Sequence, residues 1–529
     1  MRYLPRPFLL VLLPLLLASC SSAPETPSNY SEPIVAASST PAVFNSDASL
    51  TKTLDALLSE PEFNVSRLGV AVISLRDGKL IYQRNGDKSF TPASNMKIFT
   101  TAVALDLLGA DYRWRTSVYA THDVDSAGTV NGDLVLYGRG APDLVTSSKP
   151  DNKNSLEELA RSLSLRGVRR VAGNVIGDES YFRGESIGEG WQWNDLQWYF
   201  GAEASALTVN SNSVDVSVEP PGKDDNQPKV SSSDSDGYVT IENNMKLVSR
   251  GDKFTLGVQK GVSDNNVTVW GEFPSGARGY GATLSVHRPS LWAARMFIRQ
   301  LQAAGISVDG SAEYRDAKVP QSQRFDPHSS TELASVTGKS LGEVVHATNK
   351  LSINLYAELL LRTLGHERGA LLQTEQPVGR EQGDEEAGTA LIIFWLARAG
   401  VSTNGLALHD GSGLSRLDLV TPEATAGLLA AIRRTTSAQV FTDSLPIAGT
   451  DGTLAGRLRE FSGQIQAKTG LLTYDNALSG FVTCSDGQTL AFSIISNDFV
   501  GKPRAVGLID RIVSVLAEHK NYPANAPTH

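Results

Sequence analysis

The sequence predicts an α/β chain of the α+β kind, interrupted by a large and mostly β insertion. Three observations carry this. An opening hairpin and two helical stretches run to about residue 112, and short strand-like runs separated by Gly, Asp, Asn and Ser fill 113 to 286. Helical periodicity then returns, before three strand-like runs and one closing helix. With 529 residues and 41% apolar content the chain can bury a large core. Its length corresponds to about two to four domains.

The first twenty residues stand apart. Arg2 and Arg6 precede an apolar run from Phe8 to Leu17. That run is too short for a membrane span, which needs about 20 apolar residues, and it reads as a secretory signal. It ends in Leu17-Ala18-Ser19-Cys20, a string that resembles the lipobox of bacterial lipoproteins. The resemblance implies a lipid on Cys20 and a membrane anchor. With Ser21 next rather than Asp, it implies an exported, periplasmic protein held at the outer membrane. Residues 21–47 are rich in Ser, Pro, Ala and Thr and read as a flexible tether.

From 48 to 112 the chain reads as the first part of a domain that resumes at 287. Leu50, Leu54, Leu57 and Leu58 mark a short helix, and Asp77-Gly78 turns a hairpin between Val70–Leu75 and Leu80–Tyr82. A helix follows from Ala93 to Leu108, capped by Gly109. Within 113–286 the strand-like runs are 134–137, 214–218, 238–241, 254–258 and 267–270. The second part of that domain, 287–520, has helical periodicity at 290–304 and 341–364. Strands follow near 465–468, 478–483 and 490–495, then a helix over 503–518.

Charge and cysteine usage exclude several classes. A net charge of -9 argues against a nucleic-acid partner, which would need a basic footprint. The two cysteines are Cys20 and Cys484, so lipidation of the first leaves no intrachain disulfide. Cys484 reads as a small buried hydrophobe. No His/Asp/Glu cluster has metal-site spacing, so neither a metal nor a cofactor is expected.

Chemistry concentrates in three short strings. Ser94 and Lys97 are three residues apart in a helical stretch after Pro92, so hydroxyl and amine share a face. Serine is a weak nucleophile until a base takes its proton, and a lysine can be that base once burial lowers its pKa. Lys468-Thr469-Gly470 ends a strand-like run. There a lysine offers a fixed charge to a carboxylate, threonine adds a hydroxyl, and glycine allows close backbone approach. The third string should be Ser-x-Asn. Ser263-Asp264-Asn265 reads as a hairpin turn and Ser402-Thr403-Asn404 as a loop, whereas Ser352-Ile353-Asn354 breaks a helical stretch and can aim both polar groups into a cleft.

In this order the three strings resemble the signature of penicillin-binding proteins and serine β-lactamases. The long interval between Ser94 and Ser352 narrows the likeness to the penicillin-binding protein 4 type of D-alanyl-D-alanine carboxypeptidase/endopeptidase. So do Thr348–Asn354, Asp410-Gly411-Ser412-Gly413-Leu414-Ser415-Arg416, Gly449–Leu454 and Gly177–Phe182. The resemblance implies a penicillin-binding transpeptidase-like fold, an antiparallel sheet flanked by helices with the site between sheet and helical lobe. It implies Ser94, Lys97, Ser352, Asn354 and Lys468 as catalytic residues. Thr469, Gly470, Leu471, Asp178 and Arg416 would bind substrate. Peptidoglycan pentapeptides and cross-linked muropeptides become the expected substrates, and β-lactam antibiotics the expected inhibitors. Ile353 departs from the usual Asp, and Leu471 replaces a small hydroxyl residue.

Two rivals remain at this level. A β-lactamase would need an extra base, and no Glu-x-x-Leu-Asn string exists. A non-catalytic peptidoglycan-binding lipoprotein would not need the full set of catalytic side chains. Gly338-Lys339-Ser340 lacks the first glycine of a phosphate loop. The acidic run 381–386 reads as a solvated loop, and His346, on the helix before Ser352, reads as a neighbour of the site only as the lesser of two alternatives.

Overall fold

The computed structural model describes residues 47–146, 154–222, 225–320, 324–372 and 383–520. The signal, the lipidation position Cys20 and nearly all of the tether lie outside the described residues. Among the described residues no helix is long and apolar enough to cross a membrane.

The sheet that carries the lysine string has five strands, in the order Ile465–Leu472, Asp475–Thr483, Thr489–Asn497, Arg67–Ser74, Leu80–Arg84. Every neighbouring pair is antiparallel. Early and late segments of the described chain therefore meet in one sheet. The central strands are apolar or small on both faces, with Asp475–Thr483 buried at eight consecutive positions, because helices cover both sides. On one face the helices Ala48–Leu58 and Lys502–Glu518 close a core of Leu50, Leu54, Phe492, Ile494, Ile509 and Val513. On the other lie Pro422–Ile432 and the helix after Ser94, Met96–Leu108. That second helix is buried at ten positions from Met96 to Leu105, so it runs through the helical lobe instead of along its surface.

A mixed five-stranded sheet follows, ordered Ala312–Arg315, Val175–Asp178, Leu134–Tyr137, Arg113–Ala120, Thr331–Ser340. The helix Pro289–Ala303 packs on it. The sequence reading closes the insertion at 286, but 312–315 and 331–340 pair with strands inside it. A helix pattern at 290–304 says nothing about which sheet it covers, which is why the boundary reads short. Two three-stranded sheets hold the strands between 213 and 285.

The acidic run also differs from expectation. Asp384 starts the helix Asp384–Arg398 and is buried against Arg183 and His366, while Glu385 pairs with Arg362. Glu381 and Gln382 lie outside the described residues. His346 is exposed.

Candidate active site

The turn before Ser94 is built under strain. Ala93 adopts φ 49°, in the left-handed region, which costs about 1–3 kcal/mol for a non-glycine residue. It is held there because the chain packs against it from both sides. A side chain at Gly413 (φ 79°) would overlap the Ala93 carbonyl, and one at Gly470 would stand 2.7 Å from the Pro92 carbonyl. Asn95, the next residue after Ser94, donates from Nδ2 to Ser479 Oγ at 2.6 Å. The turn is thereby tied to the sheet, and Ser94 sits where the helix begins.

Lys97 is fully buried. Its Nζ lies 3.1 Å from Ser94 Oγ, and donates to Asn354 Oδ1 and to the Ser412 carbonyl at 2.7 Å each. Burial pushes its pKa down to about 8, opposed by the carboxylates of Asp410, Glu358 and Asp418. An amine titrating there is poised to take a hydroxyl proton at neutral to mildly basic pH.

Ser352 and Asn354 sit at the expected break. The helix Leu341–Leu351 ends at Ser352, with φ 60°, and a new helix starts at Asn354. Ile353 is the extended link, with φ -75° and ψ 113°. Asn354 Nδ2 donates to the Phe200 carbonyl at 2.9 Å, so a residue of the insertion fixes which face of the amide meets Lys97.

Lys468, also fully buried, comes from the edge strand Ile465–Leu472. Its Nζ donates to Ser352 Oγ at 2.9 Å and to the Thr469 carbonyl at 2.8 Å. Burial holds its pKa well below the ordinary lysine value, and nearby Lys97 lowers it further. Both effects weaken the hold of this amine on its proton, because two buried amines do not both carry a charge readily. Thr469 Oγ1 donates to Thr453 Oγ1 at 2.8 Å, and Leu471 is exposed. Lys350, just before Ser352, anchors the neighbouring wall through Asp451 Oδ2 at 2.6 Å and the Leu445 carbonyl at 2.7 Å.

Two expected substrate contacts fare differently. Asp178 is fully buried in its strand, bonded to the Ser180 N–H at 2.9 Å and to Arg315 at 3.1 Å. These contacts tie its carboxylate into the insertion. Arg416 remains partly exposed, pairing with Asp475 and donating to the Thr473 carbonyl at 3.1 Å. Motif matching missed Asp410 and Glu358, both fully buried beside Lys97. The Asp-Gly-Ser-Gly string contains the first, but nothing in its spelling says that it faces a lysine.

The two rejected strings behave as read. Ser263-Asp264-Asn265 joins adjacent strands, and Ser402 and Asn404 are exposed in a loop. Replacing Ser402 and Asn404 by alanine should leave catalytic rates within about two-fold and stability within about 0.5 kcal/mol, measurable by substrate turnover and thermal melting.

A buried lysine against a serine at a helix start, facing a second lysine–serine pair, is the layout of a serine hydrolase of the penicillin-binding fold. The comparisons agree. The chain belongs to the D-Ala-D-Ala carboxypeptidase 3 (S13) family, whose model matches residues 50–519. It is 32% identical to a D-alanyl-D-alanine carboxypeptidase of Actinomadura sp. (strain R39), over 90% of this chain and 86% of that one. A D-alanyl-D-alanine carboxypeptidase of Haemophilus influenzae is 25% identical, over 82% of this chain and 86% of the relative. Among solved structures, penicillin binding protein 4 of Haemophilus influenzae superposes with a TM-score of 0.73 at 24% identity, covering 88% of this chain and 99% of that one. That likeness fixes the fold.

Proposed function

We propose that this chain is a serine-type D-alanyl-D-alanine carboxypeptidase that cleaves peptidoglycan stem peptides through an acyl-enzyme on Ser94. The observation that carries it is Lys97 Nζ at 3.1 Å from Ser94 Oγ, opposite Lys468 Nζ at 2.9 Å from Ser352 Oγ. Lys97 takes the Ser94 proton as the oxygen attacks the carbonyl between two D-alanines. The backbone N–H groups of Ser94 and Leu471 receive the oxyanion. Losing one such donor costs about 3 kcal/mol in comparable hydrolases. Ser352 passes a proton to the leaving amine, drawing on Lys468, and Asn354 holds the peptide. The terminal carboxylate binds at Thr469, and its negative charge favours the ammonium form of Lys468. Water then releases the shortened peptide.

Catalytic residues lie in 48–112 and 341–520, with 113–340 inserted. The same acyl transfer opens a D-alanyl cross-link, so endopeptidase action belongs to this reading, as does acylation by β-lactams. The lipobox-like string supports a periplasmic protein anchored through Cys20.

The test is to digest defined pentapeptides and cross-linked muropeptides and read the products by mass. Release of D-alanine and of monomers is expected, and products cut elsewhere, or none, overturn the reading. A fluorescent penicillin should stay attached for minutes or longer. Turnover within seconds would favour a β-lactamase, and sacculus binding without any cleavage would favour a non-catalytic lipoprotein.

A further inference from the structure

Behind Lys97 lies a loop whose shape depends on one carboxylate. Asp410 is fully buried and belongs to the turn Asp410-Gly411-Ser412-Gly413. Its Oδ1 accepts from the backbone N–H of Ser412 at 3.1 Å and of Gly413 at 2.6 Å. Its Oδ2 accepts from the Ser415 N–H and the Ser412 hydroxyl at 2.8 and 3.3 Å. A fifth donor comes from the insertion, where Trp191 Nε1 reaches Oδ2 at 2.9 Å.

Two consequences of this turn touch the reacting pair. The Ser412 carbonyl is aimed at Lys97 Nζ, 2.7 Å away. Gly413 fills the space against the Ala93 carbonyl and so holds the strained turn that precedes Ser94. Glu358 supports the turn from below, accepting from the Gly411 N–H at 3.1 Å. Asp418 holds its start through the His409 N–H at 2.7 Å.

We propose that Asp410 is a positioning residue for both Ser94 and Lys97, locked from the inserted domain by the indole N–H of Trp191. It does not touch the substrate. It sets where the base points and keeps the nucleophile's turn in its strained form. The inserted domain thereby becomes part of the acylating machinery, because removing one N–H on it loosens the carboxylate that shapes the turn. The inference rests on Ser94 as nucleophile and Lys97 as base.

A second effect follows from charge. The groups facing Lys97 are Ser94 on its own helix, Asn354 and Glu358 on the helix Asn354–Arg368, Asp410, Ser412 and Asp418 on the turn, and Lys468 on the edge strand. Asp410 and Glu358 both favour the lysine's ammonium form. Asp410→Asn keeps an oxygen to accept from the Ser412 and Gly413 N–H groups, removes the charge, and sets an amide N–H against the Ser415 and Trp191 donors. The ammonium loses support, and the lysine releases its proton at lower pH.

The test measures the second-order rate of acylation by benzylpenicillin across pH 5 to 10 in the full chain, counted per titratable active site. Asp410→Asn should shift the rising limb to lower pH. Trp191→Phe, which removes only the N–H, should slow acylation about ten-fold, with the limb in place and the melting temperature little changed. Glu358→Gln should also move the limb downward. Ser94→Ala in parallel tests the underlying reading, since only its failure to abolish acylation would overturn that reading. The proposal is overturned if Trp191→Phe and Asp410→Asn acylate at the wild-type rate with an unmoved limb. A purely structural role predicts fewer active sites at an unchanged rate per site, and that result counts against it equally.

Discussion

Ser94→Ala lowers D-alanine release by on the order of 10⁵- to 10⁶-fold, the scale seen when a hydrolase loses its nucleophile. Folding should survive the change. The Ser94 hydroxyl accepts a hydrogen bond from Lys97, and a hydrogen bond of that kind contributes about 0.5–1.5 kcal/mol. The strained turn around Ala93 depends on Gly413, Gly470 and Asn95, none of which the substitution alters. Thermal melting of the variant should therefore stay near wild type while acylation disappears. A variant that still released D-alanine at more than a few per cent of the wild-type rate would remove Ser94 from the mechanism.

Lys97→Met gives the second large effect. Methionine fills much of the same volume without an amine, so general-base assistance is lost and acylation falls by about 10²- to 10⁴-fold. Stability feels two opposing terms. A buried amine with a depressed pKa no longer needs desolvating, but Asn354 Oδ1 and the Ser412 carbonyl lose their donor, which costs about 1–3 kcal/mol per group left unmet. The pH profile gives a sharper readout. The base must be neutral, and burial places its pKa at about 8. In wild type the acylation rate should climb as pH rises through about 8, and in Lys97→Met this limb should vanish. An unchanged limb in the variant would assign it to another group, Lys468 first.

Much of this site was legible in the chain because its chemistry is local in sequence. Serine and lysine one helical turn apart, a strand-borne Lys-Thr-Gly and a helix broken at Ser352 each need only a few residues to define their geometry. The sheet was legible for the same reason, since its strands alternate with turn residues and its closing helix has one apolar face. What stayed hidden depends on contacts between distant segments. The acidic stretch at Asp384 looks like a solvated loop by charge alone. Its burial follows from Arg183, Arg362 and His366 arriving from elsewhere. The partner of Asp178 was hidden in the same way, because Arg315 lies far along the chain. The end of the insertion was misplaced because strand pairing to 331–340 is a long-range choice. That Lys468 loses its proton more easily than an ordinary lysine was hidden too, because its burial and the nearby Lys97 are set by distant segments.

The most direct measurement is to expose the protein to benzylpenicillin, weigh it intact, and map the adduct by peptide mass. One penicilloyl group should be found on the peptide that holds Ser94, present in wild type, strongly slowed in Lys97→Met, and missing in Ser94→Ala. An adduct on Ser352, Ser412 or any other residue, or a full-rate adduct without the amine at 97, would contradict a lysine-activated Ser94 as the centre of this enzyme.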